Sequence, residues 1–534
     1  MLTRAADGDN KSFWNQVNRV MGKSKETKLS DINPTTLNDH YASISTDQGY
    51  LPPEHKITCT ENCSCKIEEI TVFRELSKIK STAHGPDNLP WWFLKFGAPG
   101  LSKPLTYLFN LSLEKSYVPE QWKKSCIKPI PKVSNPTQCS DYRPISLTSI
   151  VSRLMEKIIT RHFIYPTFAI HPISNTLVNQ FAFRPSGSTT AALISITNDI
   201  TSILETDECV HVIALDFSKA FDTVRHHSFF LKLAKLPIPD FLYNWYISYF
   251  SNRNHQTKIN DGTFSDFKPI NASIVQGSAI GPTAFIITAS DLKTITPGNK
   301  LDKYADDTYL IVPGKNTNSI AAELSNISDW AKQNNLSLNK NKTKELIITK
   351  SGIKNFVPPP PTTGIERVDQ LDILGVVVNS KLSYTDHIAR LLNQSHQKLY
   401  GLKILKNHGL PLNKITEVTR SILVSRLVYA SPAWYGFIHN TEFDKMKSII
   451  NKAKKWGLYS NSAPSLEDII DQADRRLFKN IITNKNHVLY PLLPPQTQFP
   501  YNLRQRKHNY TLPTKTTLSI KNFVIRMLYN NFGI

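Results

Sequence analysis

Cysteine is scarce in this chain, which has 6 cysteines among 534 residues. Small secreted proteins held together by disulfides have a much higher proportion of cysteine, so that class is excluded and we expect reduced thiols. The one cluster, CTENCSC at 59–65, lacks the paired C-x-x-C spacing of a structural zinc site. Its composition predicts a polar loop in preference to a metal centre.

Long apolar runs are also missing. No segment approaches the roughly 20 apolar residues that a membrane-spanning helix needs, and no secretory signal pattern follows Met1. We therefore expect an intracellular protein, cytoplasmic or nuclear, that is not secreted and has no transmembrane segment.

Acidic residues are outnumbered by basic ones. Lys+Arg total 64 against 43 for Asp+Glu, which gives a formal net charge of +21. Such a balance favours a polyanionic partner, and nucleic acid is the first candidate. A cationic protein bound to a membrane surface is the competing interpretation.

Two adjacent carboxylates, Asp306 and Asp307, lie within the aromatic and aliphatic segment KYADDTYL. The flanking residues favour two short strands that meet at a turn, with the Asp pair at its tip. Burying a carboxylate is costly unless it is paired or binds a metal, so the pair indicates a cation site. A solvated acidic turn is the simpler alternative, because Asp is common in turns.

A third carboxylate, Asp216, ends the apolar run VHVIAL, which is rich in β-branched residues and too short for a globular helix. Three carboxylates on neighbouring strand ends would hold two divalent cations about 4 Å apart, as in-line phosphoryl transfer requires. An ordinary strand-end cap is the alternative for Asp216.

The segments ALDFSKAFDTV, QGSAIGPTAFIITASDL and KYADDTYL resemble, in this order, the catalytic blocks of the LINE-like, jockey-type reverse transcriptases of non-LTR retrotransposons. Upstream, SDYRPISLTSIVSRLMEKII and NQFAFRPSGSTTAAL resemble fingers segments of that family. Downstream, NNLSLNKNKTKELIIT and LDILGVVVNSKLSYTDHI resemble the blocks that close its palm. A lone Asp pair is a weak signal, whereas these ordered blocks cover most of the chain.

The resemblance implies an α/β fold with an α+β palm, in the right-hand polymerase architecture of fingers, palm and helical thumb. The expected divisions are a polar lead-in segment at 1–65, fingers and palm at 66–385, a helical thumb at 386–480 and a basic and aromatic tail at 481–534. The tail could stack on single-stranded nucleic acid, or pack as an ordinary C-terminal segment.

The resemblance also assigns site residues. It implies two Mg²⁺ ions, with Mn²⁺ as the other option, held by Asp216, Asp306 and Asp307. It places Arg143 and Arg184 near the incoming nucleotide, where guanidinium groups suit phosphate oxygens. A solvated surface cation is the alternative for each arginine.

Further roles follow from the same blocks. Phe221 is expected under the sugar of the incoming nucleotide, where it would exclude a 2′-hydroxyl and select dNTPs; a core aromatic is the alternative. Gln276 and Gly277 are expected to cradle the nucleotide and template. Lys342 matches a family lysine that donates a proton to the departing pyrophosphate.

Two positions depart from the family pattern. Ala182 stands where the family usually has Gly, and Val275 stands where Pro usually precedes QGS. Ala does not adopt positive φ as readily as Gly, and Val does not fix φ as Pro does, so these positions bear on the local backbone.

The leading hypothesis is an RNA-directed DNA polymerase that extends a DNA primer on an RNA template with dNTPs. A degenerate copy that only binds RNA or template-primer is the alternative. An RNA-directed RNA polymerase is disfavoured by Phe221 and by Ala305 before the Asp pair. Nothing before residue 66 resembles the family's endonuclease, so we expect a truncated copy of an element.

Overall fold

A computed structural model describes residues 10–20, 32–57, 66–259, 262–353, 355–496 and 509–530. The cysteine cluster at 59–65 lies outside these ranges, and so does the stretch 501–508 of the predicted nucleic-acid-binding tail. None of the helices in the described ranges combines the length and the apolar character needed to cross a bilayer.

The strands are β1 Lys124–Pro131, β2 Tyr142–Leu147, β3 Cys209–Leu215, β4 Phe217–Ser218, β5 Arg253–Thr257, β6 Lys268–Ile270, β7 Lys300–Tyr304, β8 Asp307–Pro313, β9 Ser337–Leu338, β10 Lys344–Thr349, β11 Glu366–Arg367, β12 Gln370–Ile373 and β13 Val376–Asn379. The helices before β3 are α1 Asn10–Val20, α2 Pro34–Ile44, α3 Glu69–Ser77, α4 Trp91–Phe96, α5 Ala98–Glu114, α6 Glu120–Lys123, α7 Ile150–Ile159, α8 Tyr165–Thr167, α9 Ile173–Thr176 and α10 Thr189–Thr206. Those after β3 are α11 His226–Leu233, α12 Asp240–Phe250, α13 Gly281–Thr288, α14 Ile320–Gln333, α15 Thr385–Asn407, α16 Leu412–Thr419, α17 Ser425–Leu427, α18 Ser431–Trp434, α19 Asn440–Lys455, α20 Leu466–Thr483 and α21 Phe523–Tyr529.

A five-stranded sheet in the order β11-β10-β3-β8-β7 forms the centre of the molecule. The apolar run before Asp216 forms β3, as its β-branched composition predicts, and it pairs antiparallel with β8 and with β10. The strands β7 and β8 form the predicted hairpin around the Asp pair, with Tyr304 opposite Asp307.

Both faces of this sheet are buried, which explains why β3 reads as continuously apolar. Val210 and Val212 pack on one face with α10 and the helices that follow β13. Ile213 and Leu215 pack on the other face with α7 and α11–α14. Helices on both faces of a sheet exclude water from its centre, so the strand ends are left as its polar edge.

A second sheet, in the order β2-β1-β5-β6, stands beside the central one. Its helix α2 packs on β5, where the buried Asn38 side chain receives a hydrogen bond from Thr257 Oγ1 at 2.9 Å and approaches His255 Nδ1 at 2.7 Å. The segment SDYRPISLTSIVSRLMEKII contributes β2 and α7. Glu156 of α7 is buried and accepts hydrogen bonds from the amides of Ala279 and Ile280, which fixes the start of α13.

The helices α15–α20 span the range 386–480 that was predicted as a helical thumb, and they are called the thumb unit below. Ile388, Leu391, Leu399 and Leu402 of α15 are buried, as the apolar spacing predicts. The amphipathic helix α1 packs against this unit, because Phe13 and Val17 are buried in the same core. Part of the polar lead-in therefore covers apolar surface.

A buried polar network joins β3, β10 and the segment 362–367. His211 Nδ1 lies 2.8 Å from Glu345 Oε1, and Arg367 Nε donates to Glu345 Oε2 at 2.9 Å. Thr362 Oγ1 donates to Glu345 at 3.0 Å. Burial opposes ionisation of Glu345, but these hydrogen bonds outweigh it and lower its pKa to about 2.

We expect Glu345→Gln to lower the free energy of unfolding at neutral pH by roughly 3 kcal/mol, because it leaves the half-buried Arg367 guanidinium without its carboxylate partner. The depressed pKa means that this contribution is complete above the ordinary value of 4.5 and is lost as the pH falls toward 2. Chemical denaturation of parent and variant across this range should show their difference shrinking on acidification. A difference that is independent of pH would contradict the network's role.

Candidate active site

The Asp pair lies at the tip of the β7–β8 hairpin. Ala305 takes a left-handed backbone conformation with φ of 59°, which lets the chain reverse within the turn. Asp306 follows in the turn, and Asp307 begins β8. The tight turn holds the two carboxylates side by side at the polar edge of the sheet.

Asp216 reaches the same edge because of strand register. Leu215 pairs with Thr308, so the residue after Leu215 lies next to Asp307. The loop before β10 holds the Asp216 backbone: Asn339 N donates to Asp216 O at 2.8 Å, and Asp216 N donates to Thr343 Oγ1 at 3.5 Å. Register and loop contacts thus bring carboxylates from distant segments to the same edge of the sheet.

The three carboxylates repel one another. Burial, followed by repulsion from Asp216, raises the pKa of Asp306 above its ordinary value. Burial raises the pKa of Asp307 to about 6, with repulsion from Asp306, Asp216 and Asp372 adding to it. Asp307 touches solvent, yet surrounding protein displaces much of its hydration shell. Such crowding of acids favours bound cations.

An open cleft of about 880 Å³ includes Asp216 and Asp306 in its lining. Its lining includes most of the predicted site residues: Arg143, Asp216, Phe221, Gln276, Gly277, Asp306 and Lys342. Lys132 and Lys219 also line it, next to Asp222. Asp216 and Asp306 therefore share this cleft with several cationic side chains.

Aromatic and amide side chains shape the wall formed by α13 and the loop before it. Phe221 stacks on Phe285 of α13 with ring centroids 4.5 Å apart, so it is both a core aromatic and a cleft residue. Gln276 Nε2 donates to Asp222 Oδ1 at 3.0 Å. Burial raises the pKa of Asp222 to about 6, although Lys132 and Lys219 oppose the shift.

Gly277 cannot be replaced without rearrangement. Its φ is 115°, and an added Cβ would lie 2.4 Å from the Ser146 carbonyl oxygen of β2. Ser146 N also donates to Gln276 O at 2.8 Å. The loop is thereby pressed against β2, which connects the wall carrying Arg143 to the wall carrying Gln276.

Arg184 lies elsewhere. It is not among the residues that line the cleft, and its guanidinium donates to the carbonyl oxygens of Leu177 and Gln180, the latter at 3.2 Å. Its predicted contact with the nucleotide would require this side chain to move, and it stays a prediction.

The turn between β12 and β13 approaches the Asp pair from the thumb side. Leu374 and Gly375 both have positive φ, at 49° and 88°. Arg390 of α15 donates to Asp372 Oδ2 at 2.6 Å and to Gly375 O at 2.5 Å, and Tyr429 Oη donates to Leu374 O at 3.0 Å. The first residue of the turn is thus strained, and side chains from the thumb unit hold it.

Comparison with known proteins shows which family has a sequence like that of the segments around the cleft. Residues 130–378, which contain all of the cleft residues named above, match the reverse transcriptase (RNA-dependent DNA polymerase) family. The chain carries a reverse transcriptase domain. Its fold is the palm-type polymerase fold that the sequence blocks predicted.

Among similar proteins is the RNA-directed DNA polymerase from mobile element jockey of Drosophila melanogaster, 28% identical over 64% of this chain and 38% of its own length. A probable RNA-directed DNA polymerase from transposon BS of the same species is 25% identical over 78% of this chain and 47% of its own length. The Pol polyprotein from the type-1 retrotransposable element R2 of Popillia japonica is 24% identical over 60% of this chain and 46% of its own length. These matches confirm the resemblance to non-LTR retrotransposon reverse transcriptases, and they span less than half of each relative.

The carboxylates of the reverse transcriptase domain suit a hard divalent cation. Asp216 and Asp306 present oxygen ligands to one cleft, and their mutual repulsion makes a cation favourable there. Among the described residues, no group of three or more His, Cys, Asp and Glu side chains is already arranged around a single point. Asp307 is not among the residues that line the cleft, so it would complete such a site only after a change in side-chain orientation.

The two departures from the family pattern take specific forms in the domain. Ala182 is buried and does not have positive φ; the neighbouring Phe183 has it instead, at 54°. Val275 is buried, and its carbonyl oxygen accepts a hydrogen bond from Ser278 N at 3.1 Å.

Sequence reasoning did not identify several residues that support the site. Asn339, Thr343 and Gln180 contact the backbone of the catalytic segments, and Asp222 holds the Gln276 side chain. Asn339 lies within a block resembling the family, which was the one available signal for it.

We expect Asp306→Asn plus Asp307→Asn to raise the melting temperature of the metal-free reverse transcriptase domain by about 2 °C or more, because the substitution removes repulsion among carboxylates. Added Mg²⁺ should raise the melting temperature of the parent and leave the variant nearly unchanged. Thermal unfolding in EDTA and in MgCl₂ measures both effects. A variant that is less stable than the parent in EDTA would contradict the repulsion described above.

Proposed function

We propose that this chain is an RNA-directed DNA polymerase that extends a primer on an RNA template with dNTPs. The observation that carries the proposal is that carboxylates from two strand ends share one cleft with cationic side chains, inside a reverse transcriptase domain. Nucleotidyl transfer needs this combination, because the triphosphate must be neutralised and held in line with the primer hydroxyl.

The cations on the cleft walls fit the triphosphate. Arg143 is exposed on β2 and lies close enough to Asp306 to favour its ionised form. Lys132 and Lys219 supply further positive charge on the same wall. A triphosphate between these groups and the carboxylate end would be held at both ends, which restricts its α-phosphate to one position.

Asp216, Asp306 and Asp307 are the proposed ligands of two Mg²⁺ ions. When bound there, Mg²⁺ would supply Lewis-acid stabilisation of charge on the reacting oxygens. Lys342 is exposed and lines the cleft, on the loop that also holds Asp216. Its ammonium group is the proposed proton donor to the leaving pyrophosphate.

Phe221 is the proposed selector of deoxyribonucleotides. Its stacking on Phe285 fixes the ring plane, so the ring cannot easily swing away from a bulkier sugar. Gln276, which lines the cleft and is held by Asp222, is a proposed contact to the nucleotide.

The template-primer duplex is proposed to leave the cleft along the thumb unit. A second pocket, between β12 and α15, adjoins the cleft at Lys342 and is lined by Lys344, Asn393, Gln394 and Gln397. Amides and ammonium groups suit contacts to a sugar-phosphate backbone without reading its sequence. On the thumb unit, Arg420 and Arg426 are exposed and available for such contacts, whereas Lys406 Nζ donates to the Trp456 carbonyl oxygen at 2.6 Å.

The polymerase activity is testable with oligo(dT) on poly(rA), dTTP and Mg²⁺. We expect extension by the parent, and a loss on the order of 10³-fold in Asp306→Asn plus Asp307→Asn, since the proposed metal ligands are removed. Asp329→Asn plus Asp444→Asn, at exposed carboxylates that are 61% and 65% accessible, is the matched control and should extend normally. A parent that binds template-primer but extends no better than the double variant would favour the degenerate, binding-only alternative.

The sugar selection is testable with Phe221→Val. We expect the ratio of ribonucleotide to deoxyribonucleotide incorporation to rise by about tenfold or more, because the smaller side chain leaves room for a 2′-hydroxyl. Single-nucleotide extension with dTTP and UTP gives the ratio. Phe230→Leu, at a buried aromatic outside the cleft, controls for lost packing. Equal discrimination by parent and Phe221→Val would remove the role assigned to this ring.

A further inference from the structure

The loop around Gln180 is built into the support of the catalytic hairpin. The sequence block NQFAFRPSGSTTAAL, which contains it, resembles a fingers segment, and its arginine was expected near the nucleotide. In the structure, residues 179–181 instead lie along the outer edge of β7. Phe181 N donates to Lys303 O at 2.9 Å, and Lys303 N donates to Asn179 O at 2.8 Å. Gln180 thus forms a parallel bridge with Lys303.

The Gln180 side chain reaches the turn that carries the Asp pair. Its Oε1 accepts a hydrogen bond from the amide of Ala305 at 3.1 Å and another from the amide of Ala182 at 3.0 Å. Gln180 and Ala182 are each 1% exposed and Ala305 is 7% exposed, so water has little access to either amide or to its acceptor. An unpaired buried amide is destabilising, which makes Oε1 the required partner of the turn.

The orientation of the Gln180 amide group is fixed by chemistry. Both neighbouring groups are backbone N–H donors, so only the oxygen of the side chain can face them. Its Nε2 is buried and has no hydrogen-bond partner among the described residues. The side chain thus leaves its buried amino group unpaired while its oxygen serves as the acceptor beneath the turn.

Ala305 is the position where the turn most needs support. Its φ of 59° is a conformation that non-glycine residues rarely adopt, and it directly precedes Asp306. If the Ala305 amide lost its acceptor, the peptide could rotate toward an ordinary conformation. The Asp306 carboxylate would then move relative to Asp216.

The loop and β7 are themselves anchored. Lys303 Nζ, 1% exposed, donates to the carbonyl oxygens of Ala289 and Leu292 just after α13, at 2.8 and 3.0 Å. On the other side, Arg184 donates to the carbonyl oxygens of Leu177 and Gln180, which closes the loop on itself. The acceptor beneath the turn is thus part of a rigid connection between the loop, the hairpin and α13.

We propose that Gln180 is a positioning residue for the catalytic turn, and that its Oε1, by holding the Ala305 amide, sets the distance between Asp306 and Asp216. The proposal rests on the proposed polymerase function for its effect on rate. Its effect on the turn does not depend on that function. An experiment can therefore contradict the polymerase function without contradicting the positioning role of Gln180, and the reverse.

The test compares Gln180→Met, which removes the acceptor at similar volume, with Gln180→Glu, which keeps an acceptor oxygen. Asn522→Leu is the matched control, since Asn522 is a buried amide that donates to Thr201 Oγ1 at 2.6 Å and takes no part in the cleft. Hydrogen-deuterium exchange of the peptide spanning 301–309 reports the Ala305 amide directly. Primer extension as a function of Mg²⁺ concentration reports the carboxylate geometry.

We expect Gln180→Met to speed exchange in this peptide, to raise the Mg²⁺ concentration for half-maximal rate, and to lower kcat by about tenfold or more with little change in the KM for dTTP. Gln180→Glu should retain exchange protection and recover part of the rate. Asn522→Leu should lower the melting temperature without changing either readout.

Parent-like exchange and Mg²⁺ dependence in Gln180→Met would overturn the proposal, and so would equal changes in Gln180→Met and Asn522→Leu. If the parent itself extends no primer, the polymerase proposal fails while the exchange comparison still decides the role of Gln180.

Discussion

Repulsion among carboxylates at one edge of the central sheet is the constraint on which the rest of this structure depends. The register between β3 and β8 places Asp216 beside the hairpin that carries Asp306 and Asp307. In addition to burial, Asp216 raises the pKa of both residues, and Asp306 raises the pKa of Asp307. A sheet edge with this charge would relax by moving its turns apart unless the backbone were held from outside. The geometry of the site therefore depends on the supporting contacts as well as on the carboxylates themselves.

Those supports come from three separate parts of the chain, and each includes a contact to a backbone group. Asn339 and Thr343 hold Asp216, Gln180 holds Ala305, and residues of the thumb unit hold the β12–β13 turn. Backbone contacts leave the carboxylate oxygens free for ligands, whereas side-chain contacts to the same oxygens would compete with a metal. This division explains how crowded acids can be rigid and still available.

The elements of the fold were predictable where the signal is local. The β-branched run before Asp216, the hairpin around the Asp pair and the apolar face of α15 all follow from composition and spacing within about a dozen residues. The supports were not predictable in this way. Gln180 and Ala305 are 125 positions apart, and His211 and Glu345 are 134 apart, so no periodic pattern joins them. Arg184 shows the converse, because its motif suggested a ligand contact while its side chain closes a loop.

The β12–β13 turn extends the same logic to the thumb unit. Asp372 adds to the repulsion on Asp307. A partner for the Asp372 carboxylate therefore makes it less costly for this turn to lie near the Asp pair. Arg390 of α15 pairs with Asp372 at 2.6 Å and also holds the Gly375 carbonyl oxygen, while Tyr429 holds Leu374 at its positive φ. A shift of α15 would therefore move the turn and, at the same time, change the charge that Asp307 experiences. Arg390 thereby couples the position of the thumb helix to the electrostatics of the acidic edge.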